Sequence, residues 1–419
     1  MLNSSSSASS SGVAEASDLP CSILIDILGR LPLKTLIDCR YVCKSWKSLL
    51  TESYFYRLYS HHMPTTLILQ VKGNSLNTLR ELRVIEEHDT PPNEDGGSLV
   101  HKMRLTATSK TSVDETLSLM DPNFRYQLGN GCNGLICLRE IRTREPCLVW
   151  NPIMAQFVIL PKPATNTADK VVAGLGFCAR TNRYKVIRIF RGLNDPPNKR
   201  RAEVYDLGVG NEWREIGEVP FQIPSRIPGF FTNNSLHWIL DYPNSDNEND
   251  TNDDDNNMSP NIELICGFDF VEEKFKGIAA PPIYSDQENK YHWSNLGIIG
   301  DCLSICAIDA MLFRPDVQVW VMEEYGVSES WAMRLSIRDP TVEWWDPYRW
   351  IQVTNVLRNG EIVMLCAHCY VLAYNLQERR FLSMEGLDFP AIAHVPSLIS
   401  LEDVLSDNHG TGSLNVRYL

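Results

Sequence analysis

The stretch that decides how this chain is organised runs from Leu19 to Leu50 and reads LPCSILIDILGRLPLKTLIDCRYVCKSWKSLL. Ile23 and Ile27 recur at helical spacing, and Pro32 ends that first helix because proline donates no N–H and clashes with the preceding turn. Two further short apolar helical segments follow the proline. Three such short helices cannot bury this much Leu, Ile and Trp among themselves. The sequence therefore predicts a small all-α module with an apolar face left for another surface.

The fixed positions of this stretch also form a family pattern. They are Leu19-Pro20, Ile27-Leu28, Arg30-Leu31-Pro32, Lys34, Leu36, Arg40 and Val42-Cys43-Lys44-Ser45-Trp46. Their order, from Leu19 to about Phe55, resembles an F-box, the plant form in particular. The resemblance implies a three-helix module over residues 19–60 that binds an adaptor of the Skp family. Through that adaptor the chain would join a cullin-based ubiquitin ligase. The alternative is an ordinary helical hairpin packed on its own domain.

The resemblance also implies which side chains bind the adaptor. These are the apolar residues Leu19, Pro20, Ile23, Ile27, Leu28, Leu31, Pro32, Leu36, Val42 and Trp46. Residues 19–60 hold six basic and three acidic residues, whereas the formal net charge of the chain is −13. A basic helical module suits an acidic partner, as Skp-family adaptors are, and the overall negative charge argues against binding to nucleic acid.

The composition, together with an N-terminal stretch that lacks the positive start and apolar run of a secretory signal, predicts a protein of the cytoplasm or nucleus. Hydrophobic residues make up 43% of the chain and charged residues 22%, as in ordinary globular proteins. The longest apolar run, from Leu303 to Phe313, is too short to span a bilayer and contains Asp309. The twelve cysteines are scattered, mostly in apolar runs, as buried thiols in a reducing compartment are. Residues 1–18 contain eight serines and are predicted to be a disordered tail, whose phosphorylation stays open.

After the helical module the pattern changes to short strands in a repeating unit. The third strand of each unit carries an aromatic residue: Trp150, Tyr205, Phe268, Trp320 and Tyr374. These aromatics are separated by 55, 63, 52 and 54 positions. A four-strand unit at a spacing of about fifty residues is kelch-like and predicts a propeller blade.

Five such units run from about Leu128 to Leu387, and a sixth is divided between the two ends of the β region. Strands between Thr65 and Thr106 supply most of it, and the stretch Val395–Leu401 is expected to complete it. The sequence thus predicts an all-β domain over residues 61–402, a six-bladed β-propeller whose first blade is closed by both chain ends. Closure of this kind removes exposed sheet edges. Residues 403–419 are left as a C-terminal tail.

One interval of the repeat contains an acidic insertion. Residues 244–257 read NSDNENDTNDDDNN, with six acids, no base and no apolar residue. Such a segment cannot join a core and is predicted to be a disordered loop. Calcium binding is the alternative, but the segment lacks the glycine and the closing Glu of an EF-hand loop.

The β region resembles a second family, the plant F-box-associated domain. The resemblance rests on Asn130-Gly131-Cys132-Asn133-Gly134-Leu135, Val149-Trp150-Asn151-Pro152, Gly174-Leu175-Gly176-Phe177, Tyr184-Lys185-Val186 and the stretch Gly229–Trp238. It covers most of residues 60–400 and implies a substrate receptor in which this domain holds a protein target. Two alternatives remain: an adaptor-bound scaffold that delivers no target, and a propeller enzyme.

No motif in the sequence indicates catalysis, a cofactor or a metal. Cys366 and Cys369 have CxxC spacing but lie in an apolar strand-like run, and zinc needs four ligands. Cys302 and Cys306, the nearest other pair, have a different spacing and no adjoining histidine. HExxH, GxSxG and Walker sequences do not occur. A propeller enzyme gathers its site from many blades, so spacing alone leaves that alternative open.

An aromatic run between the fifth and sixth units, counted with the divided blade as the first, is the candidate target-binding surface. Its members are Trp344, Trp345, Tyr348, Arg349 and Trp350. Trp, Tyr and Arg dominate binding hot spots, which favours recognition of a partner. The alternative is that these rings pack between neighbouring blades, and the alternation with Glu343 and Asp346 predicts that some face inward.

Overall fold

The structure is a computed structural model, and it describes most of the chain. The described residues are 19–31, 33–51, 55–56, 66–69, 81–84, 126–224, 228–240, 263–282, 291–299, 302–309, 317–337, 351–356, 361–366, 370–386, 391–406 and 414–418. The predicted tail at 1–18 and the acidic loop at 244–257 lie outside them. The chain divides into two compact units, Met1–His62 and Met63–Leu419.

The described part of the first unit contains three short helices, as the sequence predicted. They are α1 (Cys21–Leu28), α2 (Leu33–Cys39) and α3 (Lys44–Thr51). The carbonyl of Pro20 accepts hydrogen bonds from the amides of Ile23 and Leu24, at 2.9 and 3.1 Å, and so begins α1. The buried apolar side chains of this unit are Leu24, Leu28, Leu36, Cys39, Leu50 and Phe55.

The described strands of the second unit form six antiparallel sheets. Sheet 1 contains β1 (Thr66–Leu69), β2 (Glu81–Val84) and β23 (Ala391–His394). Sheet 2 contains β3 (Tyr126–Cys132), β4 (Leu135–Glu140), β5 (Pro146–Asn151), β6 (Gln156–Ile159) and β24 (Val416–Tyr418). Sheet 3 contains β7 (Val172–Cys178), β8 (Arg183–Phe190), β9 (Arg201–Asp206) and β10 (Arg214–Glu218).

The other three sheets each use four strands that are consecutive in the chain. Sheet 4 contains β11 (Phe230–Thr232), β12 (Ser235–Ile239), β13 (Glu263–Asp269) and β14 (Lys274–Ala279). Sheet 5 contains β15 (Tyr291–Ile299), β16 (Cys302–Asp309), β17 (Val317–Met322) and β18 (Trp331–Ile337). Sheet 6 contains β19 (Ile351–Val356), β20 (Glu361–Cys366), β21 (Tyr370–Asn375) and β22 (Arg380–Gly386).

Successive sheets meet near their first strands, as the blades of a propeller do. Contacts join β23 to β3, β3 to β7, β7 to β12, β11 and β12 to β15, and β15 to β19. The apolar core lies between neighbouring sheets. Ile187 of sheet 3 shares one cluster with Phe268 of sheet 4, and Val319 of sheet 5 shares another with Met364 of sheet 6. Inner strands such as β7, whose residues are all buried, therefore bury side chains on both faces of their sheet.

Five of these sheets are full blades of four or five strands, rather than the six blades that the sequence predicted. Sheet 1 has three described strands. It does bring the two ends of the β region together, because β1 pairs with β23 in the register Thr66↔His394 to Leu69↔Ala391. The predicted closing stretch Val395–Leu401 is not the strand that pairs. It contains Pro396, which donates no N–H to a ladder, and Ala391–His394 pairs instead.

The segment after β23 runs along sheet 2 and is held there by buried side chains. The Nδ2 of Asn151 donates to the carbonyls of Ser397 and Ile399, at 3.1 and 2.7 Å. The amide of Leu401 donates to the Oε1 of Gln156 at 2.9 Å. Gly134 has a φ of +79°, and a Cβ there would lie 2.1 Å from the Cβ of Ser397.

The segment that the sequence left as a C-terminal tail, 403–419, contains two elements. Helix α4 (Leu401–Ser406) extends into it, and β24 adds a fifth strand to sheet 2 by pairing with β6. The register is Val416↔Val158 to Tyr418↔Gln156. This strand of three residues was not predicted because so short a stretch carries no readable period.

Candidate functional site

The two apolar rows of α1 have different surroundings. Leu24 and Leu28 are 8% and 0% exposed and belong to the core of the helical unit. Ile23 and Ile27, one residue earlier in each case, are 48% and 44% exposed. Residues four positions apart lie on the same face of a helix, so Ile23 and Ile27 form an exposed apolar row. Leu19, before the helix, is also exposed.

A second exposed apolar group lies between α2 and α3. Tyr41 and Val42 are 82% and 63% exposed, which is high for large apolar side chains. Tyr41 was missing from the predicted adaptor-binding residues, although its position beside Val42 in a turn between two helices was a signal. We call Leu19, Ile23, Ile27, Tyr41 and Val42 the exposed apolar set.

The remaining predicted adaptor-binding residues lie in several environments. Pro20 is exposed, and Leu31 and Trp46 are half-buried. Leu28 and Leu36 are 0% exposed within the helical unit itself. Pro32 lies outside the described residues. The structure thus leaves some of the predicted residues at the surface and places others in the core of the module.

Charged and polar side chains adjoin the exposed apolar set in the sequence. Lys44 and Lys47 of α3 are exposed, and Asp26 and Arg30 form an exposed ion pair at 2.9 Å. Cys43 stands immediately before α3, where its Sγ accepts a hydrogen bond from the amide of Trp46 at 3.5 Å. The hydrogen bonds from Ser45 and Trp46 lower the pKa of this thiol. The surface offers apolar area and positive charge, which suit docking of another protein.

The predicted target-binding residues Trp344, Trp345, Tyr348, Arg349 and Trp350 lie outside the described residues. Of the CxxC pair, Cys366 is buried at 2% exposure, and Cys369 lies outside the described residues. In the part of the chain that the structure describes, no group of three or more His, Cys, Asp or Glu side chains is placed to hold a metal ion. Among the same residues, no helix has the length and apolarity to cross a membrane.

Both units match known sequence families. The F-box associated beta propeller domain family matches residues 97–394, and the F-box domain family matches residues 16–58. The first range covers the strands from β3 to β23, and the second covers the helices α1 to α3.

Relatives from Arabidopsis thaliana are similar along most of the chain. F-box protein At3g07870 is 25% identical over 421 residues, which cover 91% of each chain. F-box/kelch-repeat protein At3g23880 is 24% identical, over 87% of this chain and 89% of the relative. F-box protein CPR1 is 26% identical, over 77% of this chain and 73% of the relative. Since the propeller-domain match alone spans more than half of the sequence, the chain belongs to the F-box proteins that carry an F-box-associated β-propeller domain.

Proposed function

We propose that this chain is the substrate receptor of a Skp–cullin–F-box ubiquitin ligase. Its helical unit binds a Skp-family adaptor, and its propeller binds a protein target for ubiquitination. Binding of the adaptor is supported by the exposed apolar set, which lies before and on α1 and between α2 and α3. Monomeric surfaces rarely leave several large apolar side chains exposed in so small a module without a partner to cover them.

Burial of this set supplies the affinity for the adaptor. A Val, Leu or Ile side chain that passes from exposed to buried contributes roughly 1.5–3 kcal/mol. Ile23 and Ile27 are about half-exposed, so each has part of that free energy left to gain. The net charge of +3 over residues 19–60 speeds encounter with an acidic adaptor and adds less to the affinity.

The receptor carries out no bond chemistry of its own. By binding the adaptor and the target at once, it converts the meeting of target and conjugating enzyme into an effectively intramolecular event. The aromatic run that includes Trp344, Trp345 and Trp350 is the proposed target-binding surface, on the grounds of its hot-spot composition. The complex would act in the cytoplasm or the nucleus.

The test of adaptor binding uses the full chain co-expressed with a Skp-family adaptor and a cullin. We expect the double substitution Ile23→Asp and Ile27→Asp to reduce recovery of the adaptor at least tenfold, because it places charge in an apolar contact. Ser22→Asp is the matched control, since Ser22 is exposed on the same helix outside the Ile23–Ile27 row. Equal recovery of the adaptor by the double variant and the control would contradict the assignment.

A second experiment separates a receptor from a scaffold that delivers no target. Proximity labelling from the full chain, with cullin activity blocked, identifies the neighbouring proteins. A target accumulates when the cullin or the proteasome is inhibited, and it fails to accumulate when the double aspartate variant replaces the wild type. Labelled neighbours whose levels never respond to either inhibitor would support the scaffold.

A further inference from the structure

Arg139 is a buried cation in the seam between sheets 2 and 3. It lies on β4 and is 2% exposed. Ile136 and Leu138 of the same strand point to one face, in a core cluster that includes Ile392 of sheet 1. Because side chains alternate along a strand, Arg139 points to the opposite face. Strand β4 contacts β7 of sheet 3, so that face belongs to the seam.

The guanidinium of Arg139 has no protein counter-ion among the described residues. Its Nε and Nη1 are buried without a hydrogen-bond partner. The nearby thiols of Cys137 and Cys147 have pKa values that burial raises, so they are neutral at neutral pH, and the charged group that acts on Arg139 is a second cation, Arg144. Burial lowers the pKa of Arg139 to about 10, so the group is still charged at neutral pH. An unpaired buried charge of this kind costs several kcal/mol.

A second buried arginine between sheets 2 and 3 does have counter-ions. Arg188 of sheet 3 is 0% exposed and forms ion pairs at 2.6 Å with Glu145 and with Glu203. Its guanidinium carbon also lies 4.3 Å from the ring centre of Phe190. The chain therefore supplies two carboxylates to one buried guanidinium and none to the other.

The seam is fixed on both sides of Arg139, so it does not rearrange easily to provide a partner. The side chain of Asn130 exchanges two hydrogen bonds, both 2.7 Å, with the backbone of Leu175 on β7. The amide of Val171 donates to the carbonyl of Thr143 at 2.8 Å. Gly129 leaves space for the arginine, because a Cβ there would lie 3.5 Å from the Cγ of Arg139 and 2.5 Å from a backbone oxygen.

We propose that the guanidinium of Arg139 binds a small oxyanion, of the phosphate, sulfate or carboxylate type, enclosed in the seam between sheets 2 and 3. The planar fork of N–H donors in a guanidinium matches two oxygens of such a group. The side chain is too buried for a side chain of a docked protein to reach it, so the ligand is a small ion. The site goes beyond the proposed receptor function and does not depend on it.

The test measures unfolding of the full chain by tryptophan fluorescence in chloride buffer with added sodium phosphate, sulfate or acetate. Ionic strength is kept constant. A ligand that binds only the folded state raises the unfolding midpoint in proportion to the logarithm of its concentration above Kd. We expect at least one of the three anions to do so at millimolar concentration.

The variants separate specific binding from the general stabilisation that sulfate and phosphate give to all proteins. Arg139→Met should lose the concentration-dependent shift and keep only the general effect. Arg142→Met, which removes an exposed arginine from the adjoining hairpin, should retain the full shift. A shift of equal size in Arg139→Met and in wild type overturns the proposal.

Equilibrium dialysis of the wild-type chain against labelled phosphate, sulfate and acetate gives a second, independent measurement. It decides the question even if Arg139→Met fails to fold. About one ion bound per chain, with competition among the three anions, supports the site. No bound ion at any of the three overturns it and leaves buried water as the partner of the guanidinium.

Discussion

The Nε2 of His237 lies 2.7 Å from the hydroxyl oxygen of Tyr325, and this contact joins sheets 4 and 5. His237 lies on β12 and is 0% exposed, whereas Tyr325 lies in the turn after β17. The Nδ1 of His237 is 3.0 Å from the carbonyl oxygen of Phe230. A carbonyl oxygen only accepts, so Nδ1 carries a proton. Burial favours the neutral imidazole, in which Nε2 accepts from the tyrosine hydroxyl.

The burial of two histidines predicts that acid destabilises the propeller. Burial lowers the pKa of His237 to about 4, from an ordinary 6.5, and it does the same to His394. The unfolded chain thus binds more protons than the folded chain between these values. The stabilisation is complete above pH 6.5 and is lost as the pH falls towards 4. Each histidine contributes on the order of 3 kcal/mol over that window.

The measurement is the free energy of unfolding from urea titrations between pH 7.5 and about 5. We expect it to fall as the pH is lowered through 6.5, and His237→Gln should reduce the slope. The carboxyl group of Asp269, whose charge acts on Tyr325, has a lowered pKa and so does not titrate in this window. A free energy of unfolding that is constant from pH 7.5 to 5 would rule out buried neutral histidines.

The hydrogen bonds of Asn151 to the segment after β23 predict a loss of stability when this side chain is removed. Its Oδ1 accepts from the amides of Ile153 and Met154 in the turn after β5, and its Nδ2 holds the carbonyls of Ser397 and Ile399. We expect Asn151→Ala to lower the free energy of unfolding because it leaves two buried carbonyls without their donor.

Asn375 is the matched control because it occupies the same position at the end of β21. Its Oδ1 accepts from the amides of Gln377 and Glu378 in the equivalent turn. Asn375→Ala should therefore lower the free energy of unfolding only by the contribution of the turn. Asn151→Ala should lower it by about 1–3 kcal/mol more. Urea titrations of both variants give the difference. Equal losses would show that the C-terminal segment contributes nothing through Asn151.

The strand before this turn was predicted from sequence, whereas the long-range use of Asn151 was not. Aromatic residues at a spacing near fifty predicted the third strands of the blades, and four of these strands end at Asn151, Asp206, Asp269 and Asn375. An Asn or Asp side chain that accepts from amides two and three residues later is a local interaction, so it leaves a local signature. The pairing of Asn151 with residues almost 250 positions away leaves none.

The helical unit shows a similar limit within a single helix. Apolar spacing predicted α1 and its exposed face, but Ile27 and Leu28 are both large aliphatic residues. When two neighbouring rows of a helix are both apolar, periodicity predicts where the helix lies in the sequence but not which of the two rows faces the core. The structure resolves this, because Ile27 is 44% exposed and Leu28 is 0% exposed.

These two neighbours give opposite predictions. Leu28→Ala removes fully buried methyl groups, which costs about 2–5 kcal/mol and leaves a small helical module largely unfolded. Ile27→Ala removes an exposed side chain, so the helices should stay folded while binding to a Skp-family adaptor weakens. Amide hydrogen exchange of residues 21–51 in the full chain measures folding, and adaptor pull-down measures binding. Faster exchange in Ile27→Ala than in Leu28→Ala would reverse the assignment of the two faces.

The ion pairs of Arg188 between sheets 2 and 3 predict how much stability is lost when a buried ion pair is broken. Its partners Glu145 and Glu203 would be left as uncompensated charges in Arg188→Met, which should lower the free energy of unfolding by about 3–5 kcal/mol. Arg180 is the control, since its side chain and that of its partner Glu272 are 63% and 52% exposed. Arg180→Met should cost about 1 kcal/mol or less.

The cause of that loss can be tested by removing the acids as well. If uncompensated charge is responsible, Glu145→Gln and Glu203→Gln introduced into Arg188→Met should restore part of the lost stability, because neutral amides replace the buried carboxylates. The same two substitutions in the wild-type background should destabilise the chain, because Arg188 then loses both counter-ions. Urea titrations of the four proteins give the coupling free energy between the arginine and its acids. Additive losses, with no recovery in the triple variant, would show that packing against Phe190 rather than charge pairing holds Arg188 in the seam.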